Sequence, residues 1–415
     1  VAASTSALAD YRAVLTTRGV LVPVVASAIG RLPIAMFSMA TLLYVQRTTG
    51  SFAAAGFVSA GTLAGVSLGA VVQGRILDRL GPTRPLVVAS LVFTAAAAGL
   101  IAAIEAHHAV VVLAGFAFLV GLTQPAIPGA SRALWTAVVP PGPRRDAAFA
   151  YEAISLEVFF ILGPALAAFL VAAPWPGTGL VVAALCLALG TTAFALSPLV
   201  RQQRSVAASA PAGLLGVIAR PGVRTVALAS LGFGLVVGSV EVGVPAVTTA
   251  AGNVTLGGIL LSAWSVASVV AGLAYSMRPW PEPLHLRLPA LMAGFAVMGL
   301  VMAVAAPAAS LWPLVVAMLL AGALITPQVT AHSIAVEIVT PAGTTTEGFG
   351  WVVTAATLGI AAGSSLAGIA VEQAGPPAAF LAGGAAGAVV AVVLWLRRSS
   401  LRHEPAPVTD QLSRR

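Results

Sequence analysis

The chain contains no lysine: all 21 of its basic residues are arginine, against 13 acidic residues. Charge of either sign is scarce. Only 8% of the 415 residues are charged, about a third of the roughly 25% in a soluble domain, so the chain cannot coat itself for water. A single cysteine, Cys186, excludes an intrachain disulfide and a cysteine-built metal cluster. His107, His108 and His332 have no carboxylate or cysteine at metal-ligand spacing, so no metal is expected. There is no phosphate-binding loop, which argues against ATP-driven work. An enzyme would want convergent His, Asp or Cys within the apolar runs, and a receptor would usually add a soluble sensing domain; neither is present, and no cofactor is expected.

Apolar residue is what the chain has in abundance: 59% of the sequence, with mean hydropathy +1.00. That composition belongs to a polytopic membrane protein. The net charge of +8 and isoelectric point near 11.1 would suggest nucleic acid in a soluble protein. Here they mark membrane ends, where arginine sets orientation, and no nucleic-acid partner is expected. An all-arginine basic set also fits a GC-rich bacterial genome. Residues 1–18 are polar and lack the early apolar core and small-residue cleavage site of a signal peptide; insertion is expected to rely on the first membrane helix.

A spanning helix needs about 20 mostly apolar residues. Breaks at Gly, Pro and charge predict twelve, over 20–45, 52–74, 85–105, 109–134, 147–172, 178–199, 224–250, 254–276, 287–306, 311–337, 347–371 and 378–396. The runs are too long and too uniform for barrel strands. With the N-terminus placed inside, 19 arginines fall on the inner side, Arg47 alone falls outside and Arg31 lies within a span. This asymmetry predicts twelve helices with both termini cytoplasmic. The longest charged connection, Val200–Pro221, divides six spans from six. Two six-helix units, 1–199 and 222–415, joined by a cytoplasmic linker at 200–221, follow. FAYEAISLEVFFILGPALAAF from Phe149 aligns with FGWVVTAATLGIAAGSSLAGI from Phe349 at an offset of 200, and TGSFAAAGF from Thr49 faces AGNVTLGGI from Ala251. The halves read as a duplication, the construction that alternating access uses around a central site.

Between the second and third spans lies a charged island, Gly74–Arg84, GRILDRLGPTR. Its glycines permit a tight turn, and its charges can pair differently in two rocking states. The island resembles the signature loop of the major facilitator superfamily, roughly G-x-x-x-D-R-x-G-R-R: Gly74, Asp78, Arg79 and Gly81 match, Pro82 and Thr83 interrupt the final basic pair, and Arg84 remains. The resemblance implies a cytoplasmic gate in which Asp78 and Arg79 help latch one conformation. The second-half loop, SMRPWPEPLHLR, has no aspartate at the matching place. In the fifth span, Gly163 and Pro164 match the superfamily antiporters' G-P-x-x-G-G, with Ala167 and Ala168 for the last glycines and Phe159 where another glycine is usual. Small residues let helices approach closely and Pro164 can bend the helix, so this is a helix-packing motif. The superfamily's arginine motif in the fourth helix has no counterpart: Ala114 and Gly115 stand there, and the nearest basic residue is Arg132 at the inner end. Overall the chain is similar to the bacterial drug and small-metabolite efflux permeases of this superfamily, which implies an all-α membrane protein of two pseudo-symmetric six-helix bundles.

A charge at bilayer depth costs about 2.5–3.5 kcal/mol or more, so each one should have a partner or a use. Four stand out: Arg31, Glu152, Glu157 and Glu241. Counted from the inner ends of the predicted spans, Arg31 and Glu157 are each about 16 Å deep, and the superfamily places these two helices side by side. An Arg31–Glu157 ion pair is therefore expected. Ser27, Arg31, Ser38 and Thr41 share one helix face, suited to a polar cavity wall. Glu152 and Glu157 lie about 140° apart around a helix, so one is expected to titrate while the other packs. Glu157 is the first choice for proton coupling and Glu241, which has no basic residue in its sequence neighbourhood, the second. Gln124 and Gln328 occupy matching places in the fourth and tenth spans. With Trp264, Trp351 and Phe37 they are candidates to line a substrate cavity. The expected activity is secondary export of a small organic molecule across the bacterial cell membrane by proton antiport, acting as a monomer with protons and the bilayer as partners. Facilitated or proton-linked uptake of a sugar or similar metabolite is the alternative.

Overall fold

A computed structural model of the chain describes residues 12, 19–50, 52–171, 173–203, 216–252, 254–276, 283–306 and 311–401. Secondary structure among them is helical throughout. The helices are α1 (Leu21–Thr49), α2 (Phe52–Leu80), α3 (Thr83–Glu105), α4 (Val110–Thr123), α5 (Ile127–Val138), α6 (Pro143–Val171), α7 (Thr178–Leu196), the short α8 (Pro198–Gln202), α9 (Pro221–Ala250), α10 (Val254–Ser276), α11 (Leu284–Ala305), α12 (Trp312–Val339), α13 (Thr345–Ala374) and α14 (Pro377–Leu396). Helices α4 and α5 are two pieces of one span, Val110–Val138. Among the described residues eleven spans are long and apolar enough to cross a membrane, and α6, with 29 residues, supplies the twelfth long helix. The antiparallel succession collects most of the described arginines at one end, called here the basic end; Arg47 lies at the other.

The break between α4 and α5 has a local cause. Pro125 has no amide hydrogen and biases Gln124 out of the helical region, and Gln124 takes φ −54 and ψ 118. The backbone groups this frees must be satisfied inside the protein. Gln73 of α2 does so: its Nε2 donates to the carbonyls of Leu122 (3.0 Å) and Gln124 (2.9 Å), and its Oε1 accepts from the Ala126 amide (3.0 Å). In the second half Pro327 sits inside the unbroken α12, so the two halves differ at this point.

Helices α1–α7 form one six-span bundle and α9–α14 the other. The first has a core around Phe37, Tyr44, Phe93 and Leu187. The core of the second runs through Phe295, Met292 and Phe380 and reaches across to Trp135 and Phe149 of the first. Within each bundle certain helices touch backbone to backbone. In the α9–α13 pair, Gly234, Gly238, Gly359 and Gly363 each face a main-chain carbonyl of the other helix. In α2–α4, Gly61, Gly65, Gly69 and Gly121 do the same. No Cβ fits at these crossings, the small-residue device of membrane helix packing. Gly238→Leu is therefore expected to lower the thermal midpoint of the purified protein, at a cost of about 1–3 kcal/mol or more for overpacking. Gly56→Ala, in the same kind of helix but with nothing within 4 Å of the added atom, is expected to be neutral or mildly stabilising. Equal midpoints for the two variants would remove the distinction.

The bundles meet along a seam. Helix α2 packs on α13, α6 packs on α10 and α12, and α5 touches α13. The side-chain contacts across it cluster in the half of the molecule nearer the basic end.

Candidate functional site

The seam is fastened by a latch at the basic end. Helix α13 begins at Thr345, and its first amides have no partner within the helix. Asp78, at the end of α2, supplies one: Oδ1 accepts from the Thr346 amide at 3.0 Å and Oδ2 from the Glu347 amide at 2.7 Å. A carboxylate at this position also meets the positive end of the helix dipole. Glu347 completes the arrangement. Its Oε1 accepts from Arg75 Nε at 2.8 Å, from the Val217 amide at 3.1 Å and from Trp351 Nε1 at 3.4 Å. Val217 lies in the 3-10 turn Gly216–Ala219 just before α9. The chain segment that connects the two bundles is thus tied to the latch. Gly74 lies so close to the Thr346 and Glu347 backbone that a Cβ there would collide with it, and Gly81 turns the chain with φ +77.

Further contacts run down the seam. Arg145 pairs with Glu337 and donates to the carbonyls of Val139 (2.7 Å) and Thr136 (2.9 Å). Phe149 meets Phe349 edge-on at 6.3 Å, and Thr354 Oγ1 donates to the Ser67 carbonyl at 2.5 Å. Of the island residues expected to form a gate, Gly74 and Asp78 touch the second bundle, and Gly81 shapes the turn. Arg79 and Arg84 are exposed to solvent on the outer surface of the loop. Arg75, which the loop signature does not single out, carries the cation instead.

Deeper in the first bundle lies a buried charge centre. Arg31 and Glu152, each 1% exposed, form an ion pair. Glu152 Oε1 also accepts from Ser131 Oγ at 2.7 Å and from Trp135 Nε1 at 2.9 Å. Ser27 Oγ donates to Ser131 Oγ at 3.2 Å, and the Arg31 guanidinium stands 5.4 Å from the centre of the Phe159 ring. The partner of Arg31 is therefore Glu152 and not the expected Glu157. The reason is the start of the helix: α6 begins at Pro143, four residues before the predicted span. Glu152 is then nine residues in and Arg31 ten residues into α1, both about 14–15 Å deep. Glu157 is on another side of α6, where its nearest polar neighbour across the seam is Ser265 of α10.

Beside this pair sits a second arginine. Arg132 of α5 is 7% exposed and makes no hydrogen bond among the described residues; its Nε is sealed from solvent. Its guanidinium lies 5.7 Å from the centre of the Phe349 ring of α13. Such a contact contributes about 2 kcal/mol when desolvated. Burying an ion costs several kcal/mol, so the ring alone does not offset the charge. In the second bundle, within reach of the Arg132 charge, His332 shares a 3.2 Å hydrogen bond with Gln328.

The other expected site residues are placed as follows. Glu241 is exposed on α9, with no partner among the described residues. Gln328 is fully buried, its Nε2 3.9 Å from Met292 Sδ. Gln124 marks the α4–α5 break. Phe37 packs against Phe93 at 5.5 Å in the first core, and Trp264 is buried in the second. Trp351 leans on the latch through Glu347. Gly163 fits closely against Ala35 and Met36 of α1. The side chains of Ser38 and Pro164 lie outside the described residues.

Gln73, Ser131, Trp135, Glu337 and Glu347 also belong to these contacts, and no sequence motif marks them. One signal was available for Glu347: an acid following the polar run Thr344–Thr346 marks a helix start. It also stands among inner-side arginines, where an acid has partners in reach.

The profile of the Major Facilitator Superfamily matches residues 24–283. No curated protein sequence matches the chain. Among solved structures, a bacterial homologue of the iron transporter ferroportin in an outward-facing state superposes with TM-score 0.73 at 14% identity, covering 92% of this chain and 100% of that one. The human organic anion transporter MFSD10 (TETRAN) gives 0.69 at 16%, covering 93% and 100%. A variant of the E. coli fucose:proton symporter FucP gives 0.64 at 12%, covering 91% and 99%. At these identities the likeness is one of fold.

Proposed function

The chain belongs to the Major Facilitator Superfamily, and on that premise we propose that it exports a small organic molecule, a drug or metabolite, across the plasma membrane by alternating access coupled to proton antiport. That it is a multi-pass membrane transporter of the secondary type follows from the family. The observation that supports the finer reading is Glu157: a carboxylate in the body of α6, apart from the buried ion pair, with Ser265 of the other bundle as its polar neighbour across the seam. A carboxylate whose partner belongs to the other bundle changes surroundings when the bundles part, as a proton carrier must. In this reading 1–199 and 222–415 are the rocking units and 200–221 is the linker. The basic end and both termini are cytoplasmic, and one copy contains the whole pathway.

The test is transport in proteoliposomes with an imposed pH gradient, screened over drugs and sugars, for the wild type and Glu157→Gln. The expected result is gradient-driven accumulation that falls about tenfold or more in the variant, while downhill exchange and binding persist. Transport indifferent to the gradient in both proteins would make this a facilitator with a structural Glu157.

A further inference from the structure

We infer that the cargo carries one negative charge, as a carboxylate or sulfonate, and that Arg132 is the residue that receives it. The inference rests on the transporter reading above and adds the chemical class of what is carried. Glu152 is already committed: Arg31, Ser131 and Trp135 occupy its oxygens. The side-chain charges acting on Arg132 are Glu152, whose charge Arg31 neutralises, and Arg31 itself, which repels it. The centre therefore holds two guanidinium groups and one carboxylate, and the excess positive charge sits on a side chain 93% removed from solvent with no hydrogen-bond acceptor among the described residues. A guanidinium presents five donors in a planar fork that matches an oxyanion. One excess charge suits a monoanion better than a dianion. In the second bundle His332 is close enough to be acted on by the Arg132 charge and is bonded to Gln328, whose buried Oε1 also lacks a donor among the described residues. Arg132 lies under the latch, against Phe349 of the second bundle. Parting of the basic end would uncover it, and for an exporter that is the side from which cargo loads.

The experiment is a thermal-shift titration of the full chain in lipid nanodiscs, using acids paired with their neutral isosteres: benzoate with benzamide, octanoate with octanamide, methanesulfonate with dimethyl sulfone. At least one acid is expected to raise the midpoint where its isostere does not. Arg132→Gln should weaken that acid about tenfold to a hundredfold, and Arg132→Lys should keep part of the response. Without ligand, Arg132→Gln is expected to melt no lower than the wild type, since it loses an uncompensated buried cation, whereas a structural arginine would lower the midpoint when removed. No acid exceeding its isostere, or an Arg132→Gln protein that responds like the wild type, would overturn the inference. Binding is read here without any gradient. An Arg132-dependent acid response in a protein that ignores pH gradients would remove proton antiport and leave the anion site standing.

Discussion

Glu152→Ala is expected to be the most damaging single substitution in the membrane interior. It removes the carboxylate that neutralises Arg31 and leaves that cation, 1% exposed, in an apolar bundle. Breaking a buried pair from one side costs about 3–5 kcal/mol, a large share of the roughly 5–15 kcal/mol that holds a typical domain together. It also strips the acceptor from Ser131 and Trp135, at about 1–3 kcal/mol for each donor left buried and unpaired. The variant should be recovered in much lower yield, with a sharply lowered midpoint by fluorescence-detected size exclusion. Glu152→Gln keeps an acceptor for Trp135 and should fall between. The double change Arg31→Met with Glu152→Leu removes both charges and should regain much of the loss, because a buried pair often contributes little net stability against apolar residues of similar volume. An Ala variant as stable as the wild type would mean that water reaches Arg31.

Bridging the seam is expected to stop transport outright. Thr354 Oγ1 lies 2.5 Å from the Ser67 carbonyl, which brings the α2 and α13 backbones near the Cα separation of about 4.4–6.8 Å that a disulfide spans. Cys186 is the only native thiol, so Cys186→Ser gives a clean background. Cysteines introduced at 67 and 354, joined by oxidation or by a short bis-methanethiosulfonate, should hold the basic end shut. If cargo crosses by alternating access, transport should fall at least about tenfold and return on reduction, since a protein held in one state cannot cycle. Undiminished transport with complete cross-linking would show that this seam never parts. The same lock should shield Arg132 from any ligand that arrives through the basic end.

The sequence carried the architecture because it rests on long-range averages: apolar run length, arginine asymmetry, and a repeat at an offset of 200. None of these depends on a boundary to better than a few residues. Ion pairing does. The four residues between the predicted and observed starts of α6 were enough to assign Arg31 to Glu157 when the structure gives it Glu152. The latch was half legible. Asp78 was marked by the loop, but its partner is a pair of main-chain amides on α13, and backbone donors have no residue type to read. Gln73 escaped for the same reason: what it bonds is the interrupted backbone around Gln124 and Pro125. In the sequence Arg132 stands out only as the basic residue at the inner end of its span. That it has no partner among the described residues is a fact about empty space around a side chain, visible only once the bundles are set together.

The backbone-to-backbone crossings of α9 with α13 and of α2 with α4 divide the chain's freedom to vary. At Gly65, Gly121, Gly238 and Gly363 any larger residue must push two helices apart, so these sites have almost no mutational latitude. The walls of the pathway are side chains, and a side chain can be exchanged while the crossings stay intact. A lineage built this way can change what it carries many times without re-inventing the machine that carries it.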